Sequence, residues 1–252
     1  MLDLNNAICS FNVSRTNVVI DQDFIDKTRA IVETKEYAIK TAYTEITAHA
    51  ADVASSDPVY KSNPLQNLMA ASALGSKEKI QLHLAVPGEG KTYAFLLLAD
   101  TLLKRDHSNF VKVIIYASEP VIVSQIEEKL NIFPNYARVT VTSDFAPEEW
   151  VKIPGMVHFI FDEGEQVIKK NLVVMKPAGF AGLMLLKSKN MYFFSATCHP
   201  YWLRAFRLMF NLNKDAIFEY PSQYRVKHNR DLKPQIVVSL RVSYMEALEG
   251  VK

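Results

Sequence analysis

Two hydrophobic periods alternate along the chain. Five short apolar runs, Ile80–Val86, Val113–Tyr116, Arg138–Val141, Val157–Phe161 and Met191–Phe194, have the near-continuous character of strands buried on both faces. Helical spacing separates them, over Leu65–Leu74, Tyr93–Leu103, a run opening at Val121, and Gly179–Lys187. Such alternation predicts an α/β fold with a parallel β-sheet flanked by helices. Upstream, a long helix is expected over Asp23–Val53, with Phe24, Ile31, Ala38, Ala42 and Ile46 forming a packing stripe. Asp57-Pro58 and Asn63-Pro64 break the chain before the next helix. Three regions follow: an N-terminal helical extension (1–62), the α/β domain (63–220) and a tail (221–252). The tail carries a basic loop, Arg225–Lys233, a strand-like run, Gln235–Leu240, and a short helix from Tyr244.

The strongest chemical signal is Ala85-Val86-Pro87-Gly88-Glu89-Gly90-Lys91-Thr92, lying between the first apolar strand and the first apolar helix. A strand, a glycine turn and a helix N-terminus in that order form a phosphate cradle. Gly88 and Gly90 lack the Cβ atoms that would keep backbone N–H groups off a phosphate, and the helix N-terminus adds its positive dipole end. Lys91 would meet the β- and γ-phosphates, and the Thr92 hydroxyl a Mg²⁺ ion. Pro87 and Glu89 complete the loop. The general pattern has Gly six places before the lysine, where this chain has Ala85.

A second apolar strand runs into Asp162-Glu163, and carboxylates at the C-terminal end of a buried strand lie where open α/β sheets bind ligands. Asp162 would hold the metal, and Glu163 would orient and deprotonate the attacking water. A third, Tyr192-Phe193-Phe194, ends in Ser195-Ala196-Thr197, 33 positions after Asp162, which leaves room for one crossover helix between parallel strands.

In this order the three pieces resemble motifs I, II and III of the superfamily-2 helicases and DEAD-box-like ATPases. The family's motif I reads Ala-x-x-Gly-x-Gly-Lys-Thr, so Ala85 fits it. Motif II reads Asp-Glu-x-x and is matched by Asp162–Glu165, with Glu165 where an Asp or His is usual. Motif III is matched by Ser195–Thr197. The resemblance covers residues 63 to 200 and implies a RecA-like P-loop NTPase domain that binds ATP and Mg²⁺. It also implies that Ser195 and Thr197 couple hydrolysis to strand contacts, and that the full-length protein binds single-stranded RNA or DNA. Weaker positional matches place nucleic-acid contacts at Ser118 and Pro120, after the second strand, and at Thr142 and Ser143, after the third. Gln66, 25 residues before Lys91, stands where DEAD-box proteins carry an adenine-reading glutamine; a polar helix-start residue is the other reading.

A complete motor of this family has a second RecA-like domain with a Gly-Arg motif. None of the eight glycines here precedes an arginine, and Gln235–Leu240 resembles the strand leading into that second domain. The expectation is therefore a motor fragment that turns ATP over weakly by itself, because a trans-acting arginine contributes roughly three to five orders of magnitude in related enzymes. Two alternatives remain open. The Gly-Glu-Gly-Lys-Thr wording also resembles the protein-translocating ATPase SecA, and Glu165 with the altered second-strand loop would suit a non-enzymatic binding platform.

Composition sharpens little. A formal charge of +2 is too small to argue nucleic acid on electrostatics. Cys9 and Cys198 follow no metal or redox spacing, which favours a reducing compartment, cytoplasmic or nuclear. No apolar run approaches the roughly 20 residues that span a bilayer, so membrane insertion is not expected. His158 and His199 read as structural.

Overall fold

In a computed structural model the protein is described at residues 36–57, 59–61, 63–106, 110–167, 169, 184, 187–196, 200–212 and 214–220. Thr197, His199, both cysteines and the tail segments Arg225–Lys233, Gln235–Leu240 and the helix from Tyr244 lie outside these residues. So do the start of the long N-terminal helix and most of Gly179–Lys187.

Helix α1 (Glu36–Ser56) leads through a short connection into α2 (Pro64–Gly75). Asn63 caps α2: its Oδ1 accepts from the Gln66 backbone N–H at 2.8 Å, and the Gln66 side chain accepts from the Asn63 backbone N–H at 3.1 Å. With Pro64 opening the helix, this reciprocal capping box fixes where α2 starts. The chain then runs β1 (Ile80–Ala85), α3 (Lys91–Arg105), β2 (Val111–Tyr116), α4 (Pro120–Leu130), β3 (Val139–Thr142), the short α5 (Pro147–Trp150), β4 (Met156–Asp162), β5 (Ser188–Ser195), α6 (Pro200–Phe210) and β6 (Ile217–Tyr220).

The six strands form one sheet in the order β3-β2-β4-β5-β1-β6, with every pairing parallel. This is a RecA-like α/β fold. All five expected strands are present. The third begins at Val139 rather than Arg138, because Tyr136–Arg138 form a 3₁₀ turn in which Arg138 donates to Leu103 O and Val111 O. The sixth strand was not expected from the sequence; its four residues alternate between half-buried and buried, a pattern too short to stand out.

Apolar side chains fill both faces of the sheet. On one face α1, α2, α3 and α4 share a core with Ile160, Tyr192 and Phe194. Ala42 and Ile46 of the expected α1 stripe are buried in it. On the other face, α5 and α6 pack Trp150, Leu203, Phe206 and Phe210 against Phe159, Phe161 and Phe193. The Phe161 and Phe193 rings stack at 4.5 Å.

One polar thread crosses the first core. Gln81 Nε2 donates to Ala73 O and Glu78 O, so its Oε1 faces His83 Nε2 at 3.1 Å and takes that proton. His83 Nδ1 is then left to accept from the Tyr220 hydroxyl at 2.9 Å. The imidazole lies between Phe194 and Phe218, both 4.8 Å away and stacked nearly parallel to it. This thread ties α2, β1 and β6 together, which gives the short edge strand a fixed partner.

Burial drives His83 down to about 3, and burial together with the Lys189 charge drives His158 down to about 4. Both lie below the free imidazole value, so below pH 6.5 the unfolded chain takes up protons that the folded chain excludes. Stability should therefore fall as pH drops from 6.5 towards 4, at up to about 1.4 kcal/mol per pH unit for each histidine. Urea unfolding at pH 7 and pH 4.5 measures this. His158→Phe is expected to shrink the loss relative to the unsubstituted chain; an unchanged loss would contradict it.

Candidate functional site

The three sequence signals converge at the C-terminal edge of the sheet. In the parallel register β5 lies between β1 and β4, with Leu84 opposite Ser195 and Asp162 opposite Phe194. Ala85, Ser195 and Asp162 therefore end three neighbouring strands at one level. Adjacent strands are ~4.8 Å apart, so the loop after β1 and the acids after β4 are separated by about two strand spacings, within reach of a lysine side chain.

The loop takes the shape its glycines allow. Gly88 and Gly90 have φ of +85° and +77°, left-handed values that other residues adopt only with strain. Nothing lies within 4 Å of where a Gly88 Cβ would stand, so the loop opens onto free space there. Gly90 is the N-cap of α3 and supplies no side-chain acceptor, so the first-turn N–H groups have no side-chain cap. A Cβ on Gly90 would lie 2.1 Å from Gln66 Nε2. Gln66 is thus both the helix-start residue that caps α2 and a neighbour of the Gly88–Thr92 loop.

Lys91 Nζ donates to Ala85 O at 3.2 Å and Val86 O at 3.4 Å, folded back over the loop. Burial lowers its pKa; the negative charges of Glu163, Asp162 and Glu89, in that order, oppose this. Glu89 is buried within the loop, Thr92 is half-buried in the first turn of α3, and Pro87 is exposed. Asp162 is only 9% exposed, and burial, reinforced by Glu163, pushes its carboxyl up to about 6 against the pull of Lys91. Glu163 has φ of +51°. This left-handed conformation costs a non-glycine residue about 1–2 kcal/mol and turns its side chain out of the strand direction. Ser195 is fully buried at the end of β5.

Lys91 thus faces three carboxylates, with the Lys129 charge acting on Asp162 from further off. Ligand-free, the site is net negative, and a nucleotide triphosphate would add more negative charge unless a divalent cation came with it. The donor set suits such a pair: backbone N–H groups and Lys91 for phosphate oxygens, and the hard oxygens of Thr92 and Asp162 for Mg²⁺ with waters completing its shell. Among the described residues no cluster of three or more His, Cys, Asp or Glu could bind a metal without a substrate.

The loops expected to touch nucleic acid lie at the far side of the same edge. Ser118 is half-buried, Pro120 exposed, and Thr142 and Ser143 half-buried. The Thr142 hydroxyl accepts the Asp144 N–H at 3.0 Å, closing a local turn. Sequence reasoning missed their charge. Exposed carboxylates Glu119, Asp144, Glu148 and Glu149 stand here, and neither 117–121 nor 142–150 contains a lysine or arginine. Phosphate contact normally rests on such cations.

No family model and no curated protein matches the chain. Among solved structures it is similar to the yeast DEAD-box splicing factor Prp28, at 13% identity and a TM-score of 0.45, over 64% of this chain and 47% of that one. The RNA-helicase Prp28 from Chaetomium thermophilum bound to ADP is similar at 19% identity and a TM-score of 0.42, over 64% and 46%. A DEAD box protein from the hyperthermophile Methanococcus jannaschii is similar at 15% identity and a TM-score of 0.45, over 63% and 50%. The chain spans about half the length of these structures. The likeness is one of fold, and no helix among the described residues is long and apolar enough to cross a membrane.

The raised Asp162 pKa yields a stability prediction. A carboxyl whose folded value exceeds its unfolded one stabilises the fold at low pH and loses that contribution as pH rises through about 6. At pH 7.5 the ionised group is a burden on the ligand-free protein. Asp162→Asn is therefore expected to raise the thermal midpoint at pH 7.5, with the gain disappearing near pH 4. A lower midpoint at both pH values would contradict the electrostatic reading.

Proposed function

We propose that this chain is the ATP-binding motor domain of a helicase-type ATPase. The observation that carries the reading is the meeting of Lys91, Asp162 and Glu163 at the C-terminal ends of β1 and β4, with Ser195 buried between them at the end of β5. The loop 88–92 and the α3 N-terminus would hold the phosphates, and Thr92 and Asp162 the Mg²⁺. When bound, the metal supplies charge neutralisation at the phosphates. Glu163, displaced from the strand direction by its backbone, is the group free to orient and deprotonate a water. Gln66, a neighbour of Gly90, would be the adenine-reading glutamine. Thr197 keeps its proposed coupling role with Ser195.

The acidic loops favour a second reading of the partner. A nucleic-acid backbone brought to Ser118, Pro120, Thr142 and Ser143 would meet Glu119, Asp144, Glu148 and Glu149, which suits a polypeptide, as in a SecA-like motor or a binding platform, better than RNA or DNA. Anisotropy of labelled single-stranded RNA, titrated with salt in the presence of Mg²⁺ and ATP analogue, separates the two. Salt-sensitive binding would support the nucleic-acid motor, and none at low salt would support the polypeptide reading.

Nucleotide binding itself is tested by thermal shift. ATP with Mg²⁺ well above its dissociation constant is expected to stabilise the chain by about 1–3 kcal/mol. Lys91→Ala should abolish the shift, and Glu163→Gln should keep it while removing the residual hydrolysis. An unchanged shift in Lys91→Ala would overturn the assignment.

A further inference from the structure

The acids of the site are held from behind by α6. Gly164, directly after Glu163, approaches β5 and α6 so closely that a Cβ would stand 3.0 Å from Phe193 Cβ and 3.2 Å from Phe206 Cζ. One residue on, Glu165 pairs with Lys169, Oε1 to Nζ 3.6 Å. Lys169 Nζ in turn lies 5.4 Å over the ring of Trp202, near the start of α6, a distance at which an ammonium is attracted by the indole face. Helix α6 is also joined to the site through the chain, since it begins just beyond Ala196 at the end of β5. It therefore touches the acid-bearing segment twice, at Gly164 through Phe206 and at Glu165 through Lys169 and Trp202.

The strained conformation of Glu163 needs such support. A left-handed residue next to a buried aspartate relaxes unless its neighbours are fixed, and the fixed neighbours here are Gly164 and Glu165. We propose that Lys169 and Trp202 are positioning residues that fasten the segment 162–166 to α6, so that a movement of Glu163 on nucleotide binding is transmitted to that helix. The outer side of α6 is well placed to pass the movement on, with Tyr201 62% and Leu208 75% exposed and Arg204 and Arg207 exposed beside them. Glu165 thereby acquires a use: at the place where the resembled family has Asp or His, this chain has the acid that reaches Lys169 one helical turn away. The fastening stands on the contacts alone, whereas the transmission rests on the nucleotide reading.

Hydrogen exchange of the full chain tests the fastening without nucleotide. Backbone amides of 162–166 are expected to exchange severalfold faster in Lys169→Met and in Trp202→Ala than in the unsubstituted chain, and Lys169→Arg, which keeps the charge over the indole, should restore slow exchange. Equal rates in Lys169→Met and the unsubstituted chain would overturn the fastening. The transmission is read by fluorescence, because the chain has two tryptophans and Trp150 lies in the aromatic cluster with Tyr116 and Phe145. In Trp150→Phe, a non-hydrolysable ATP analogue with Mg²⁺ should change Trp202 emission, and adding Lys169→Met should remove that change while the nucleotide still raises the thermal midpoint. A nucleotide that raises the midpoint of Trp150→Phe but leaves its emission unmoved would overturn the transmission. If nucleotide raises no midpoint in the unsubstituted chain, the ATP reading fails and the transmission with it, while the exchange rates still decide the fastening.

Discussion

Lys91 faces the carboxylates of Glu163, Asp162 and Glu89 at the edge of a sheet covered on both sides, with Lys129 adding a weaker pull on Asp162, and this imbalance governs the rest of the site. The parallel sheet forces it. Strands that all point one way deliver their C-terminal loops to one edge, and apolar layers on either side keep water from screening what gathers there. Burial raises Asp162 and lowers Lys91, so both charged forms are held at a cost in the ligand-free protein. An anionic ligand that arrived alone would deepen the imbalance; one that brings a divalent cation corrects it.

The scaffold behind that edge is stiff for identifiable reasons. Gln81, His83 and Tyr220 link α2, β1 and β6 by hydrogen bonds, and two phenylalanines clamp the imidazole. Asp100, buried on α3, receives His49 Nε2 at 2.6 Å and the Asn135 N–H at 2.8 Å, tying α1 and the α4–β3 connection to the helix that follows the Gly88–Gly90 loop. The Arg105 pair with Glu45 adds an exposed tie that contributes little beside it. Helix α1 is thus built into the same core as α2 and α3.

Much of the fold was legible in the sequence, because strands buried on both faces read as unbroken apolar runs and the loop glycines stand where left-handed backbone is required. The capping box at Asn63 and Gln66 could also be read from residue types. Other features arise only in three dimensions. Strand β6 has four residues and gains its identity from pairing with β1. The left-handed Glu163 is followed by Gly164, packed close against Phe193 and Phe206, and the Lys169–Trp202 contact joins residues far apart in the chain. The acidic character of the loops after β2 and β3 was written in the sequence at Glu119, Asp144, Glu148 and Glu149. Its meaning emerged only once the sheet order placed those loops side by side.

The charge imbalance makes one demand that calorimetry can examine directly. Titrating the chain with ATP in saturating Mg²⁺, and again in excess chelator, should give binding in the first case and a loss of at least tenfold in affinity in the second, because without the cation the triphosphate meets a site that is already net negative. Equal affinity with and without Mg²⁺ would contradict the account, since it would mean that Lys91 and the backbone N–H groups hold the phosphates without regard to Asp162, Glu163 and Glu89.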